Sequence, residues 1–233
     1  MDWSDTGILL SARRHGETSA VVHVLTRSHG RHAGLVRGGA GRRVRGVVQP
    51  GNEVQASWRA RLPEQLGTFT LELMRPRAAR MLDDPLRLAA LTAAMEILDA
   101  SLPEREPYPT VFVRLCKMLD AVEAGAGDWP ERYAVWELEL LADLGFGLDS
   151  SSTAGHESGA VYARSWAMAA QSADSSTLPL PAILMGAAPL EDTIARTRML
   201  VDALNLTGSF LRRAVEERRV LTARARLVDR LAR

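Results

Sequence analysis

Hydrophobic and polar positions change rhythm once along this chain, near residue 80. Before that point, apolar runs of strand length recur: Ile8-Leu9-Leu10, Ala20-Val21-Val22-His23-Val24-Leu25 and Gly34-Leu35-Val36. The stretches between them, Arg14-His15-Gly16-Glu17 and Ser28-His29-Gly30-Arg31, carry the residue types of turns. Residues 54–58 and 69–73 then alternate as strands with one buried face do. Five short strands with no helical period among them predict a small barrel, and the oligonucleotide/oligosaccharide-binding (OB) fold is the barrel of that size.

After Asp83-Asp84-Pro85 the period is helical. Asp84 is placed to cap a helix, and Pro85 to occupy its first turn, where a missing N–H is harmless. Leu88, Leu91, Ala94, Met95 and Leu98 follow at three- and four-residue spacing, an apolar stripe. A break at Pro103, Pro107 and Pro109 precedes a second helix carrying Val111, Leu115, Met118, Leu119 and Val122, which Gly125-Ala126-Gly127 ends. A third helix is expected from near Pro130 through Trp136 and Leu140-Leu141 to Gly145. Residues 150–177 lack a period, and the chain from about Pro189 to Arg233 reads as helix again, in two pieces broken near Gly208. The predicted fold class is α+β: residues 1–80 form an OB-fold nucleic-acid-binding domain with a five-stranded β-barrel, and residues 81–233 an all-helical domain with an irregular 150–178 segment.

Charge sharpens this picture. The net charge of +1 conceals a segregation. Residues 1–80 hold 13 Arg, no Lys and 6 acids; residues 81–160 hold 5 basic and 15 acidic groups; residues 161–233 hold 11 Arg and 7 acids. A basic head and tail about an acidic middle point to a polyanionic partner at the ends. No apolar run approaches the roughly 20 residues that span a bilayer, and the N-terminus has no signal-peptide pattern. A lone cysteine, Cys116, excludes an internal disulfide and a cysteine-based zinc cluster, and fits a reducing, cytoplasmic compartment.

The segment Arg37-Gly38-Gly39-Ala40-Gly41-Arg42-Arg43-Val44-Arg45-Gly46 carries the strongest candidate chemistry. Its glycines would let the backbone approach a phosphate chain, and its arginines would neutralise it. No Gly-Lys-Ser/Thr completes a nucleotide-hydrolysing loop. Arg13, Arg14, Arg27 and Arg31 flank the first two turns and are expected to join the same DNA-binding track. Trp58 and Phe69 read as core, so backbone-dominated binding is expected rather than base stacking. His15, His29 and His32 read as surface groups beside arginines and His23 as half-buried; His29-x-x-His32 lacks the carboxylates or cysteines to complete a metal site. No catalytic constellation assembles, so neither an enzyme nor a cofactor is expected.

Several of these segments together resemble the RecO family of recombination mediators. They are Trp3, Gly7-Ile8-Leu9-Leu10, Arg13, Gly16-Glu17-Thr18-Ser19, Leu25-Thr26, His29-Gly30-Arg31, Val36-Arg37-Gly38-Gly39, Gln49-Pro50-Gly51, and the run from Trp136-Glu137 through Leu140-Leu141-Ala142-Asp143-Leu144 to Gly145-Phe146-Gly147-Leu148-Asp149. The resemblance implies a protein of bacterial RecF-pathway DNA repair, cytoplasmic and nucleoid-associated. Its implied partners are single- and double-stranded DNA, RecR and the tail of single-strand-binding protein, and its implied work is annealing complementary strands and helping RecA to load. Zinc-binding members place cysteines where this chain has Ser150-Ser151-Ser152-Thr153-Ala154-Gly155-His156, so no metal is expected. Ala134 and Val135 stand where some members carry basic residues, so Arg132, with Arg114 or Lys117, becomes the candidate charge for a partner's terminal carboxylate. A protein-only adaptor and a degenerate OB-fold enzyme of nucleic-acid metabolism are the alternatives.

Overall fold

A computed structural model describes residues 1–62, 64–146, 162–163, 178–179, 192–215 and 221–233, apart from the side chains of Arg42 and Arg43 and those of residues 162–163 and 178–179. Five strands arise where the alternation predicts them: β1 (Asp2–His15), β2 (Ser19–Thr26), β3 (Gly30–Val36), β4 (Glu53–Arg59) and β5 (Thr68–Arg75). They follow the order β1-β2-β3-β5-β4, and β1 pairs with both β2 and β4. One residue in two points inward, so Leu9, Val22, Val24, Val54, Trp58 and Phe69 form a common core. Burying each large apolar side chain contributes about 1.5–3 kcal/mol.

Two parts of the expected fold class are corrected. The sheet is mixed, and β3 and β5 meet in parallel through the single pair Leu35↔Thr68. The ring is therefore not closed by a full ladder: β3 and β5 share one pair, where the other neighbouring strands share seven or eight. The reason lies in the chain after β3: it leaves the sheet at Arg37 and forms the short helix α1 (Arg42–Arg45). Val44 and Val47 pack against the core from there. Beyond Thr68, β5 has β4 as its ladder partner.

The second correction is that the rest of the chain is not all-helical. Strands β6 (Tyr162–Ala163) and β7 (Leu178–Pro179) pair antiparallel inside the stretch expected to be irregular. The zinc-insertion positions 150–156 lie outside the described residues.

The helices otherwise start and stop for the reasons the sequence suggests. After α2 (Arg77–Arg80), α3 (Pro85–Ser101) is capped by Asp84, whose carboxylate accepts from the amides of Leu86 and Arg87, both at 3.0 Å. Then come α4 (Pro109–Ala124), α5 (Trp129–Asp143), α6 (Thr193–Ala214) and α7 (Thr222–Leu231). The expected break at Gly208 is absent: α6 runs through it, and Gly208 is buried. Packing against α5 overrides the weak helix propensity of glycine there. Thr207, one residue earlier, donates to the buried Glu137 carboxylate of α5 at 2.5 Å.

The contacts divide the chain into two compact units, Met1–Ala124 with Leu221–Leu227, and Gly125–Val220 with Val228–Arg233. In the first unit the amides of Thr222, Ala223 and Arg224 all donate to the Glu96 carboxylate of α3, at 3.1, 2.8 and 3.2 Å. A side chain 126 residues earlier thus satisfies the orphan N–H groups of the first turn of α7. Between β5 and α4, Arg77 is 1% exposed and meets Glu53, Asp120 and Glu123 at 3.3, 2.7 and 2.9 Å. Arg75 joins the same carboxylates of α4 at 2.7 and 3.0 Å, fixing the end of β5.

Candidate nucleic-acid interface

Of the arginines expected to face DNA, Arg13, Arg14, Arg27, Arg37 and Arg45 are exposed. The backbone of Arg42 and Arg43 opens α1 within the same basic segment. Arg14 donates to the carbonyls of Gly16 and Glu17, at 3.2 and 3.1 Å, and so stiffens the turn between β1 and β2.

Arg31 is placed differently. Its side chain is 12% exposed and meets Asp99 of α3 at 3.2 Å, while its Nε donates to the Leu102 carbonyl at 2.8 Å. Glu104 stands 3.9 Å away, and His23 of β2 also hydrogen-bonds to Asp99. Burial pushes the Asp99 pKa up, but the hydrogen bond and charge of His23, with Ser11 and Arg31, outweigh it and leave the group below the ordinary aspartate value. Gly30, at φ 68°, lies so close to Glu106 that a Cβ would sit 2.0 Å from its carbonyl oxygen. The start of β3 is therefore covered by the segment after α3, and Arg31 serves that joint.

The Arg- and Gly-rich segment between β3 and β4 separates two concave surfaces. On one side, Arg14, Arg45, Gln49 and the Gly39-Ala40 backbone line a cleft of about 470 Å³. On the other, Arg37, Val44, Arg59 and the hydroxyl residues Ser4, Ser57, Thr68 and Thr70 line a groove of about 970 Å³. Strand register explains the hydroxyl rows: Ser4 stands opposite Ser57, and Ser57 opposite Thr70. The Ser4 and Ser57 oxygens are 3.0 Å apart.

The glycines of this segment do different work from that expected. The amides of Gly39, Ala40 and Gly41 donate to Val36, Thr18 and Gly38 carbonyls at 3.2, 2.9 and 2.9 Å, so they are not an open cradle for phosphate. Gly39 is buried where a Cβ would come within 2.9 Å of the Ala20 Cβ. Glycine here lets the segment lie against β2, and the arginine side chains carry the charge.

Trp58 and Phe69 are core, as read, and among the histidines His32 departs from expectation. His15 is exposed and His23 half-buried, as read. His32, read as a surface group, is 6% exposed, and burial lowers its pKa below the ordinary histidine value. His29 stacks on Trp3 at 4.2 Å between ring centroids, and Trp3 also packs against His32, Trp58 and Phe69. Trp3 and Arg59 are the residues the sequence reading missed. Both follow from starting β1 at Asp2, whose register sets Trp3 opposite Trp58 and Asp2 opposite Arg59.

Arg114 is half-buried and Lys117 exposed on α4, in the first unit. Arg132 lies on α5 in the second unit, bound to Asp128 at 2.9 Å. Ala134 is fully buried, so that position offers no surface to a partner. Among the described residues, no three His, Cys, Asp or Glu side chains gather as metal ligands, and no helix is long and apolar enough to cross a membrane.

A mixed sheet bordered by two arginine-lined concave surfaces thus precedes a run of helices. Residues 1–77 match the family model for the recombination protein O N terminal, and residues 82–222 that for the recombination protein O C terminal. The chain is 45% identical over 243 residues to the DNA repair protein RecO of Rhodospirillum centenum, covering 99% of this chain and 94% of that one. It is 43% identical to that of Ruegeria sp. over 100% of this chain and 99% of the relative, and 41% identical to one from Cereibacter sphaeroides over the whole of both. The chain belongs to the recombination protein O (RecO) family, whose members are non-catalytic mediators of DNA repair and recombination.

Proposed function

We propose that this chain binds single-stranded DNA along the Arg-rich segment after β3, anneals complementary strands, and helps RecA to load together with RecR and single-strand-binding protein. The observation that carries the proposal is the division of exposed arginines about one wall: Arg14 and Arg45 on the cleft side, Arg37 and Arg59 on the groove side. With Arg13, Arg27, Arg42 and Arg43 they make residues 1–80 the nucleic-acid-binding part, and residues 81–233 the part that meets partners. Neutralising phosphates lowers the repulsion between two strands, so annealing needs positioning and charge but no bond chemistry. Double-stranded DNA presents the same phosphates and binds by the same term. The internal bonding of the Gly39, Ala40 and Gly41 amides supports side-chain contacts to phosphate over backbone ones. Lys117 and Arg114 on α4, in the first unit, are proposed charges for the tail of single-strand-binding protein, and Arg132 on α5, in the second unit, is a separate candidate.

The test is annealing of complementary strands coated with single-strand-binding protein, with its tail intact or removed, alongside binding of bare strands across a salt series. Contact with about six phosphates lowers affinity roughly 10³-fold between 50 and 200 mM salt. A flat response overturns the DNA-binding reading; annealing indifferent to the tail overturns the docking part alone.

A further inference from the structure

Strand β5 is held at both ends and open between them. At its start, Thr68 pairs with Leu35, and the Leu35 amide donates to the Gly67 carbonyl at 3.0 Å. At its end, Arg75 is bound to Asp120 and Glu123 of α4. Over residues 70–73 the ladder to β4 continues on one edge, and it resumes at Arg75 after a shift in register that skips Met74. On the other edge, no pairing follows Thr68 among the described residues. Residues 72–74 are exposed on both faces of the strand, and Leu73 and Met74 keep 41% and 56% of their surface.

Natural sheets protect such an edge with Lys, Pro, bulges or inward charges. Residues 70–74 read Thr-Leu-Glu-Leu-Met, whose guards are Glu72 and the register shift at Met74, at the far end of the segment; Thr70 to Leu73 are regular strand. We propose that this edge takes an extended peptide strand from a protein partner, which pairs with residues 70–74 and extends the sheet. Backbone hydrogen bonds supply the affinity, and alternate side chains supply selection. The clamps at Thr68 and Arg75 preorganise the edge, so little ordering cost is left to binding.

The charge around the edge describes the peptide. Arg37 and Arg59 line the groove beside Thr70 and Leu71; Arg59 is 3.6 Å from Asp2 at the same groove, so Arg37 carries the larger share of the positive charge. They favour acidic residues on the stretch of peptide that lies there, with apolar residues alternating beside Leu71 and Leu73. A second copy of this chain fits less well, because an antiparallel pair centred on this segment sets Glu72 against its own counterpart, and like charges directly opposite destabilise a strand pair. The peptide and the DNA of the proposed function would share Arg37 and Arg59, so the two compete for this groove.

The experiment uses the full chain and a fluorescein-labelled, end-capped peptide of two glutamates followed by alternating valine and threonine. Anisotropy measures binding, and hydrogen exchange reads the amides of residues 70–74. The expected result is saturable binding with protection of those amides. N-methylating one alternate set of peptide amides should weaken binding about tenfold, through the loss of about two hydrogen bonds, while methylating the other set should not. Leu73→Lys with Met74→Lys, both at exposed positions, should also weaken it. Equal tolerance of both methylated peptides, or no protection of residues 70–74 at millimolar peptide, overturns the proposal. Protection of the same amides by self-association, or by oligothymidylate in place of peptide, overturns it in favour of those occupants.

Discussion

Arg31 on β3 and Asp99 on α3 meet at 3.2 Å across 68 residues of sequence, and the pair joins the sheet to the helix that packs on β1. Arg31→Gln is therefore expected to act on stability and leave DNA binding unchanged. It should cost about 2 kcal/mol, the range for a hydrogen bond to a charged group, with Asp99 left buried beside His23. Denaturant unfolding reads the loss, and a reduced salt slope of DNA binding in this variant would return Arg31 to the DNA track.

The exposed arginines should behave in the opposite way. Arg42→Ala with Arg43→Ala is expected to lower the salt slope of binding by about two, and Arg59→Ala by about one, with unfolding midpoints unchanged. Filter binding across a salt series measures the slopes. Unchanged slopes would remove those residues from the track.

Arg77 offers a stability test away from any proposed ligand. It is buried among Glu53, Asp120 and Glu123, and Glu123 is itself 7% exposed. Arg77→Ala should destabilise the first unit by about 3–5 kcal/mol, because carboxylates remain there without their cation. Arg75→Ala should cost less, since Arg75 is more exposed. Equilibrium urea unfolding of both variants gives the comparison.

Buried His32 and Asp99 set two separate limits on pH stability. The folded pKa of His32 lies below 6.5 through burial, so the unfolded chain binds a proton first. Stability from that site is complete above pH 6.5 and declines as pH falls below it. Asp99 lies below 3.8, so its contribution is complete above that value and is lost as pH falls through the folded pKa. Thermal melts from pH 8 to pH 5 should show the first decline, and His32→Gln should flatten it. A profile that His32→Gln leaves unchanged would exclude His32 as the source.

The strands and the start of α3 were legible because their signals are local. Alternation at residues 54–58 depends on one buried face, and Asp84 caps amides two and three residues away. The seam between β3 and β5 was not legible: five strands of the right length say nothing of how many pairs join the third to the fifth. Gly208 misled because propensity is weaker than packing on α5. Within the site, the Arg-rich segment was visible as composition, but Arg31 looked like its neighbours until a distant aspartate claimed it. Arg59 has no local signal in the sequence; only register puts it in a row with Asp2 and Thr68.

The cap that Glu96 places on α7 also orders events during synthesis. The first unit contains residues 221–227, so it stays unfinished until the ribosome has made the whole intervening stretch from 125 to 220. Until then α3 carries a carboxylate with no helix end to receive it. A chain released early, with everything up to residue 124 in place, would lack that closing turn. The strands of its sheet, all made by residue 75, would already be present, and it is α3 that would wait for its partner while the second unit was being made.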